Sequence, residues 1–179
     1  MARRRCCWPS QRARRLVGLG ETAGVNDLDP TLTVAAQVKA ELAMHRRGRG
    51  HSEVATAFAS VGLDLDPHAR ISDLHAADRL LLGVALAGID QPPFLVVDDL
   101  HEDLPPDERE LVFDRLRGLT RTDITIVVGS LDPALAPLAD VVLALDVDGR
   151  TTGDRPADDL PSADDSPTPR LEETTHALV

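Results

Sequence analysis

Pro92-Pro93-Phe94-Leu95-Val96-Val97-Asp98-Asp99 decides how this chain is read. Four successive apolar residues, two of them β-branched, predict a short strand that suits burial on both faces, as in a parallel sheet covered by helices. The carboxylates then fall at its carboxyl end, the edge where open α/β sheets bind ligands. There Asp98 could hold Mg²⁺, directly or through water, with the ion bridging nucleotide phosphates, and Asp99 could polarise an attacking water. A buried strand leaving the core through two solvated or helix-capping aspartates would carry the same residues. The pair alone does not separate these readings.

The pattern on either side of the strand predicts its architecture. Downstream, Pro106-Asp107-Glu108 starts a helix with acidic residues near its positive end, and Leu111, Val112, Leu116 and Leu119 form its apolar stripe. Ile124 to Val128 is a second buried strand, Pro133 to about Leu138 a short helix, and Val141 to Leu145 a third strand. Upstream, Leu16 to Gly20 reads as a short strand. After the turn-rich Gly24 to Pro30, Thr31 is the expected N-cap of a helix through about His45. Arg46-Arg47-Gly48-Arg49-Gly50 breaks it, and Ser52 is the expected cap of the next, which carries Val54, Phe58 and Val61 before Gly62. A third helix, from about Asp73 to Ala87, is so rich in leucine that burial on more than one side is expected. Strands alternating with helices predict right-handed crossovers and a parallel sheet.

Composition bounds the rest. At 179 residues and 42% hydrophobic, the chain is long enough for one domain with a sizeable core, which aliphatic side chains must fill because aromatics make up only 2%. A formal charge of -11 argues against generic binding to nucleic acid or anionic membrane. The charge is uneven: Arg3, Arg4, Arg5, Arg12, Arg14 and Arg15 mark residues 1–15 as a disordered basic arm. Asp158-Asp159, Asp164-Asp165 and several prolines mark 151–179 as a disordered acidic tail. No apolar h-region and no run of membrane-spanning length is present, so a cytoplasmic protein is expected. Cys6 and Cys7 are adjacent and have no others to complete a disulfide framework or a zinc site. His45, His51, His68, His75, His101 and His176 form no i, i+4 metal pair. Glu102-Asp103 with Asp107-Glu108 would suit a two-metal nuclease, but a solvated loop and the acidic first turn of a helix account for them more simply.

Several segments from Leu28 to Arg150 fall in a telling order. They are Leu28 to Val34, Gly62-Leu63 followed by Ile71-Ser72, Pro93 to Asp99, Leu104-Pro105-Pro106, Ile126 to Pro133, and Leu138-Ala139-Asp140 with Asp148-Gly149-Arg150. In that order they resemble the back half of an ATP-binding cassette, the nucleotide-binding subunit of ABC transporters. Leu28 to Val34 is similar to the segment after the family's Q-loop, and Ile71-Ser72 to the start of its signature. Pro93 to Asp99 resembles the Walker B strand, Leu104 to Pro106 the D-loop, and Ile126 to Pro133 the strand before the switch histidine.

The resemblance implies a partial P-loop-NTPase-like α/β domain over residues 16–150, with a parallel sheet, flanking helices and a helical subdomain over about 31–90. It implies ATP and Mg²⁺ as cofactors, Asp98 as the metal ligand, Asp99 in the place of the catalytic glutamate, and Ser72 facing nucleotide phosphate. The implied partner is a membrane permease subunit or a second ATP-binding subunit, in a dimer at the inner face of the cell membrane. No nucleic-acid partner is expected.

The departures from the family pattern each remove a chemical contribution. The sequence has no Gly-x-x-x-x-Gly-Lys-Ser/Thr loop to cradle phosphates, and its one lysine, Lys39, falls inside the first expected helix. The signature position reads Ile71-Ser72-Asp73-Leu74-His75, which sets a negative charge beside phosphate. Leu131 takes the switch-histidine position, Pro105 the D-loop aspartate position, and Glu21 is the nearest polar residue to a Q-loop glutamine. Little ATPase activity by this chain alone is therefore expected, with a partner or a missing segment supplying the phosphate loop. The alternative is a non-catalytic interaction protein derived from such an ATPase. In a third case, Met1 to Arg15 is out-of-frame coding ahead of an interrupted longer gene.

Overall fold

The structure, a computed structural model, describes residues 16–20, 26–44, 50–98, 100, 104–120, 124–145, 151–156 and 176–178. Along the chain come strand β1 (Val17–Leu19), helices α1 (Val34–Met44) and α2 (His51–Ser60), a 3₁₀ turn at Ile71–Asp73 and helix α3 (Ala76–Ala87). Strand β2 (Phe94–Val97), helix α4 (Pro106–Thr120), strand β3 (Thr125–Ser130) and a 3₁₀ helix at Pro133–Leu138 follow. Strands β4 (Val141–Leu145), β5 (Thr151–Pro156) and β6 (His176–Leu178) complete the order. The expected basic arm, residues 1–15, lies outside the described residues.

The sheet runs β1-β2-β3-β6-β4-β5. β2 has a parallel neighbour on each side, with Val17, Phe94 and Thr125 level in the register. This is the parallel sheet with flanking helices that the alternation predicts. Leu95 and Val97 of β2 are both fully buried. α3 lies against β1 and β2, and α4 against β3. Within α3 the run Leu81-Leu82-Gly83-Val84-Ala85-Leu86 is buried without interruption, as its leucine content predicts. β1 sits so close to the end of this helix that a Cβ on Gly18 would come within 2.7 Å of the Ala87 carbonyl oxygen.

Two burial expectations are corrected. β2 was expected to be buried on both faces, yet Phe94 is 45% exposed and its level neighbour Val17 42%. Cα partners in a ladder share a face, so this is one continuous open patch of the sheet. The described helices that touch the sheet serve the face of Leu95 and Val97. On α4 the buried stripe is Val112, Phe113, Leu116 and Leu119, while Leu111 is 49% exposed. At about 100° per residue, Val112, Leu116 and Leu119 share one narrow arc and Leu111 falls to its outer side.

The helix starts also differ from expectation. Thr33, rather than Thr31, begins α1: its hydroxyl accepts from Ala36 N–H at 3.2 Å. Thr31 instead closes a turn on Asp29, donating its hydroxyl at 2.7 Å and its backbone N–H at 2.9 Å. These two bonds, the hydroxyl's first, hold the Asp29 carboxyl below its ordinary pKa. Gly50 rather than Ser52 caps α2, its N–H reaching the Glu53 carboxylate at 2.9 Å. The third helix opens as the 3₁₀ turn at Ile71–Asp73 and becomes α-helical only at Ala76.

Two pieces of the expected acidic tail lie in the sheet. β5 pairs antiparallel with β4 and ends at Pro156, and β6 pairs antiparallel with both β3 and β4. Neither segment shows the apolar periodicity by which a buried strand is recognised; a ladder is made by backbone groups that any non-proline residue carries. Residues 157–175 lie outside the described residues. Among the described residues, no helix is long and apolar enough to cross a membrane.

Leu95→Ala should lower the stability of the fold by about 3 kcal/mol, from lost burial plus the cavity left behind in a packed site. Chemical denaturation checks this, and Phe94→Ala at the exposed neighbouring position should cost clearly less.

Candidate active site at the carboxyl edge of the sheet

Because β1, β2 and β3 are parallel, their carboxyl ends open on one edge, and each contributes polar groups there. Asp98 directly follows the last buried residue of β2, Val97, and is exposed. Continuing the β2–β3 register by one step sets Asp98 level with Gly129. A Cβ at Gly129 would collide with the Asp98 carboxylate oxygen Oδ1. With glycine at this position the carboxylate leans across the strand end, and a larger residue would make it turn away. Leu100, fully buried, donates its N–H to the Gly129 carbonyl at 3.3 Å and turns the chain back over β3.

On the other flank, Gly20 donates its N–H to the Val96 carbonyl at 2.8 Å. The Asn26 side-chain amide donates to the Leu19 carbonyl at 3.0 Å, closing the end of β1. At the end of β3, buried Ser130 accepts the Asp132 N–H on its hydroxyl at 3.1 Å. Asp132 caps the 3₁₀ helix through Ala134 N–H at 3.0 Å and forms an ion pair with Arg109 of α4. Arg109 also donates to the Leu104 carbonyl at 2.7 Å. The connection from β2 to α4 is therefore held at both ends, by Leu100 on Gly129 and by Arg109 on Leu104 and Asp132.

The residues singled out from sequence meet different fates. Asp98 stands at the expected edge. Asp99 lies outside the described residues, as do Glu21, His101, Glu102 and Asp103. Ser72 is exposed in the 3₁₀ turn, where its hydroxyl donates to Asp73 at 2.9 Å and its N–H to the Pro30 carbonyl at 3.3 Å. It belongs to the segment joined by the Thr33–Arg70 bridge, while Asp98 belongs to the β2–β3 edge. Leu131, at the switch position, is 38% exposed beside that edge. Gly129, Arg109 and Asp132 carry the local geometry and escaped the sequence-level search. A glycine directly after the β-branched run Ile124 to Val128, still within the strand, was the one available signal for a close approach.

No protein-family model matches the chain. The cassette MJ0796, solved as a dimer in a post-hydrolysis state bound to ADP and Pi, superposes with a TM-score of 0.63 at 18% identity, over 82% of this chain and 65% of that one. cbiO1 from Clostridium perfringens, part of the ABC transporter complex cbiONQ, gives 0.69 at 17% identity, over 82% and 59%. The fold is that of an ATP-binding cassette. In sequence, the chain is similar to Nod factor export ATP-binding protein I of Rhizobium etli, 29% identical over 126 residues, or 67% of this chain and 39% of the relative. It is also similar to phosphonates import ATP-binding protein PhnC 1 of Natronomonas pharaonis, 37% identical over 99 residues, or 54% and 42%. The chain spans about two fifths of the length of these curated relatives.

The donor chemistry of this cassette-like edge fits Mg²⁺ better than it fits phosphate. Mg²⁺ keeps several waters and takes one or two carboxylates, the remaining oxygens coming from substrate phosphates, and exposed Asp98 is a carboxylate of that kind. No cluster of three or more His, Cys, Asp or Glu that could hold a metal by itself occurs among the described residues. For phosphate, Lys39 is exposed on α1, and Arg109 is engaged by Asp132 and Leu104.

Gly129→Ala should destabilise the fold by about 1 kcal/mol or less, because the methyl group meets only the rotatable end of the exposed Asp98 carboxylate. In the Asp98→Ala background the same change should cost markedly less, and a double-mutant cycle by denaturation measures that coupling.

Proposed function

We propose that this chain acts as an ATP-binding-cassette subunit or fragment, in which Asp98 supplies the carboxylate for nucleotide-bound Mg²⁺ and a membrane partner responds to the nucleotide. The carrying observation is the position of Asp98: it leaves the central parallel strand at the carboxyl edge, in a space cleared by Gly129. When bound there, Mg²⁺ would neutralise phosphate charge. The chain's own part is to hold that carboxylate at the strand end, with Asp99, the next residue, assigned to orient water. Ser72 is assigned to the phosphate side contributed across a dimer. The relatives' printed names, an exporter's and an importer's ATP-binding proteins, support a transport setting without choosing a cargo.

A second reading, a non-catalytic interaction protein, is favoured by one observation. The Ser72 hydroxyl is turned to the Asp73 carboxylate, so a negative group stands where phosphate would have to approach. Both readings place the protein at the cytoplasmic face of a membrane through its partner.

By itself the chain should show no saturable binding of a fluorescent ATP analogue with Mg²⁺ below about 1 mM, because its sequence carries no Gly-x-x-x-x-Gly-Lys-Ser/Thr loop to cradle phosphate. Micromolar affinity lost on Asp98→Ala would contradict this. Pull-down with a membrane permease or an intact cassette separates the two functions. A nucleotide-coupled subunit gives a complex that Mg-ATP strengthens and Asp98→Ala weakens about tenfold or more. An interaction protein gives one indifferent to both.

A further inference from the structure

At the edge of the sheet opposite Asp98, α2, α3 and α4 border a cavity of about 360 Å³. Pro93 and Ile124, just ahead of the parallel strands β2 and β3, place it at their amino ends. The buried side chains of Val61, Val84 and Leu95 give it an apolar floor. Small-molecule sites have volumes of this order and are lined in the same way, with a few polar groups to fix orientation. The cavity shares no residue with the nucleotide edge.

Its polar lining selects for one sign of charge. Glu53, Thr56 and Ser60 stand on the α2 wall. The Thr56 hydroxyl donates to the Ser52 carbonyl at 2.9 Å, and the Ser60 hydroxyl to the Ala57 carbonyl at 2.7 Å. Toward a ligand both can therefore only accept, as the Glu53 carboxylate must, while the amide of Gln91 can do either. The backbone adds to this bias. The cavity is bordered by Ser60 and Val61 at the end of α2, Gly88 and Ile89 just past α3, and Leu119 in the last turn of α4. Helix carboxyl ends carry partial negative charge, and neither α2 nor α3 has a basic residue in its last turn to offset it. Arg115 offsets part of it at α2, donating to the Val61 and Gly62 carbonyls at 3.1 and 2.7 Å. Among the described residues, no lysine, arginine or histidine lines the cavity itself.

We propose that this cavity is a binding site for a small organic cation, an ammonium group on an apolar body. The body lies against Val84 and Leu95, and the N–H donors turn to Glu53 and to the Thr56 hydroxyl one turn along the same helix face. Glu53 is already held in place, accepting from the Gly50 N–H at 2.9 Å and the Ser52 hydroxyl at 2.8 Å, so little ordering is left for the ligand to impose. A bond between ammonium and carboxylate is charge-assisted and stronger than its neutral counterpart, which makes charge the specificity element. The bound cation bridges α2 to α3 and to the amino edge of the sheet. The site stands on this geometry whether or not ATP binds at the other edge.

The test follows backbone amide shifts of the full chain by NMR at physiological salt, which screens general attraction to a chain of charge -11. The probe is phenethylammonium; phenethyl alcohol has the same body without the charge, and methylammonium the charge without the body. Phenethylammonium should give saturable shifts at Ser60, Gly88 and Gln91, and each of the other two should bind about tenfold more weakly or worse. Glu53→Gln keeps the α2 capping pattern but removes the charge, and should weaken phenethylammonium about threefold or more while leaving the alcohol unchanged. The proposal is overturned if phenethylammonium gives no saturable shifts at these amides up to about 20 mM. It is overturned equally if the alcohol binds as well, which makes the cavity merely apolar, or if methylammonium does, which leaves only attraction to an acidic surface. An affinity unchanged by Glu53→Gln also overturns it, and the comparison of probes on the unaltered chain decides the matter should that variant fail to fold.

Discussion

Everything at the functional edge depends on β2 being paired on both sides while one of its faces is sealed. Leu95 and Val97 are fully buried, and the strand between Pro93 and Asp98 is too short to satisfy that burial in any other register. A slip of one residue would turn Phe94 and Val96 into the core and carry Asp98 to the other face. Packing against α3 thus fixes, from below, the direction in which a surface carboxylate leaves the sheet. The hydrophobic term supplies the constraint; the charged residue takes its position from it.

The edge so defined is tied laterally by polar contacts rather than by packing. Leu100 on Gly129 and Arg109 on Asp132 join the connection after β2 to the segment after β3, two stretches remote in sequence. Arg109 and Asp132 are 23 residues apart and partly buried, a setting in which a bidentate-capable guanidinium pairs more usefully than on an open surface. Ser130 and Asp132 in turn start the 3₁₀ helix, so its position follows from the same contacts. Leu131 sits between them with its side chain outward. On the β3 side, among the described residues, Asp98 lies against Gly129.

Strands were legible wherever a run of aliphatic residues was bounded by proline, glycine or aspartate, which is why β2, β3 and β4 stand close to where the pattern put them. Helix bodies were legible for the same reason, through leucine content and the acidic start of α4. Their first residues were not: Thr31 and Thr33 offer the same hydroxyl, and Ser52 offers the side-chain cap that Gly50 lacks. The choice between them is made by the turn that Asp29 closes and by the reach of Glu53. The open patch at Phe94 was hidden because an apolar strand has one sequence whether one face is covered or two. Asp98 could be found from its strand alone. Gly129, Arg109 and Asp132 could not, since each matters only through a partner brought alongside by the sheet.

The sequence by itself determined the alternation of strands and helices, the carboxylate at the end of β2, and the resemblance to an ATP-binding cassette, because these are patterns within short windows of chain. Tertiary structure alone decided which face of β2 is sealed, that Gly129 clears room for Asp98, and that β6 enters between β3 and β4 instead of remaining in a solvated tail. The physical reason is that sheet neighbours are chosen by backbone hydrogen bonds, which every residue but proline can make. Side-chain patterns mark where a strand is, and only the assembled sheet says what lies beside it.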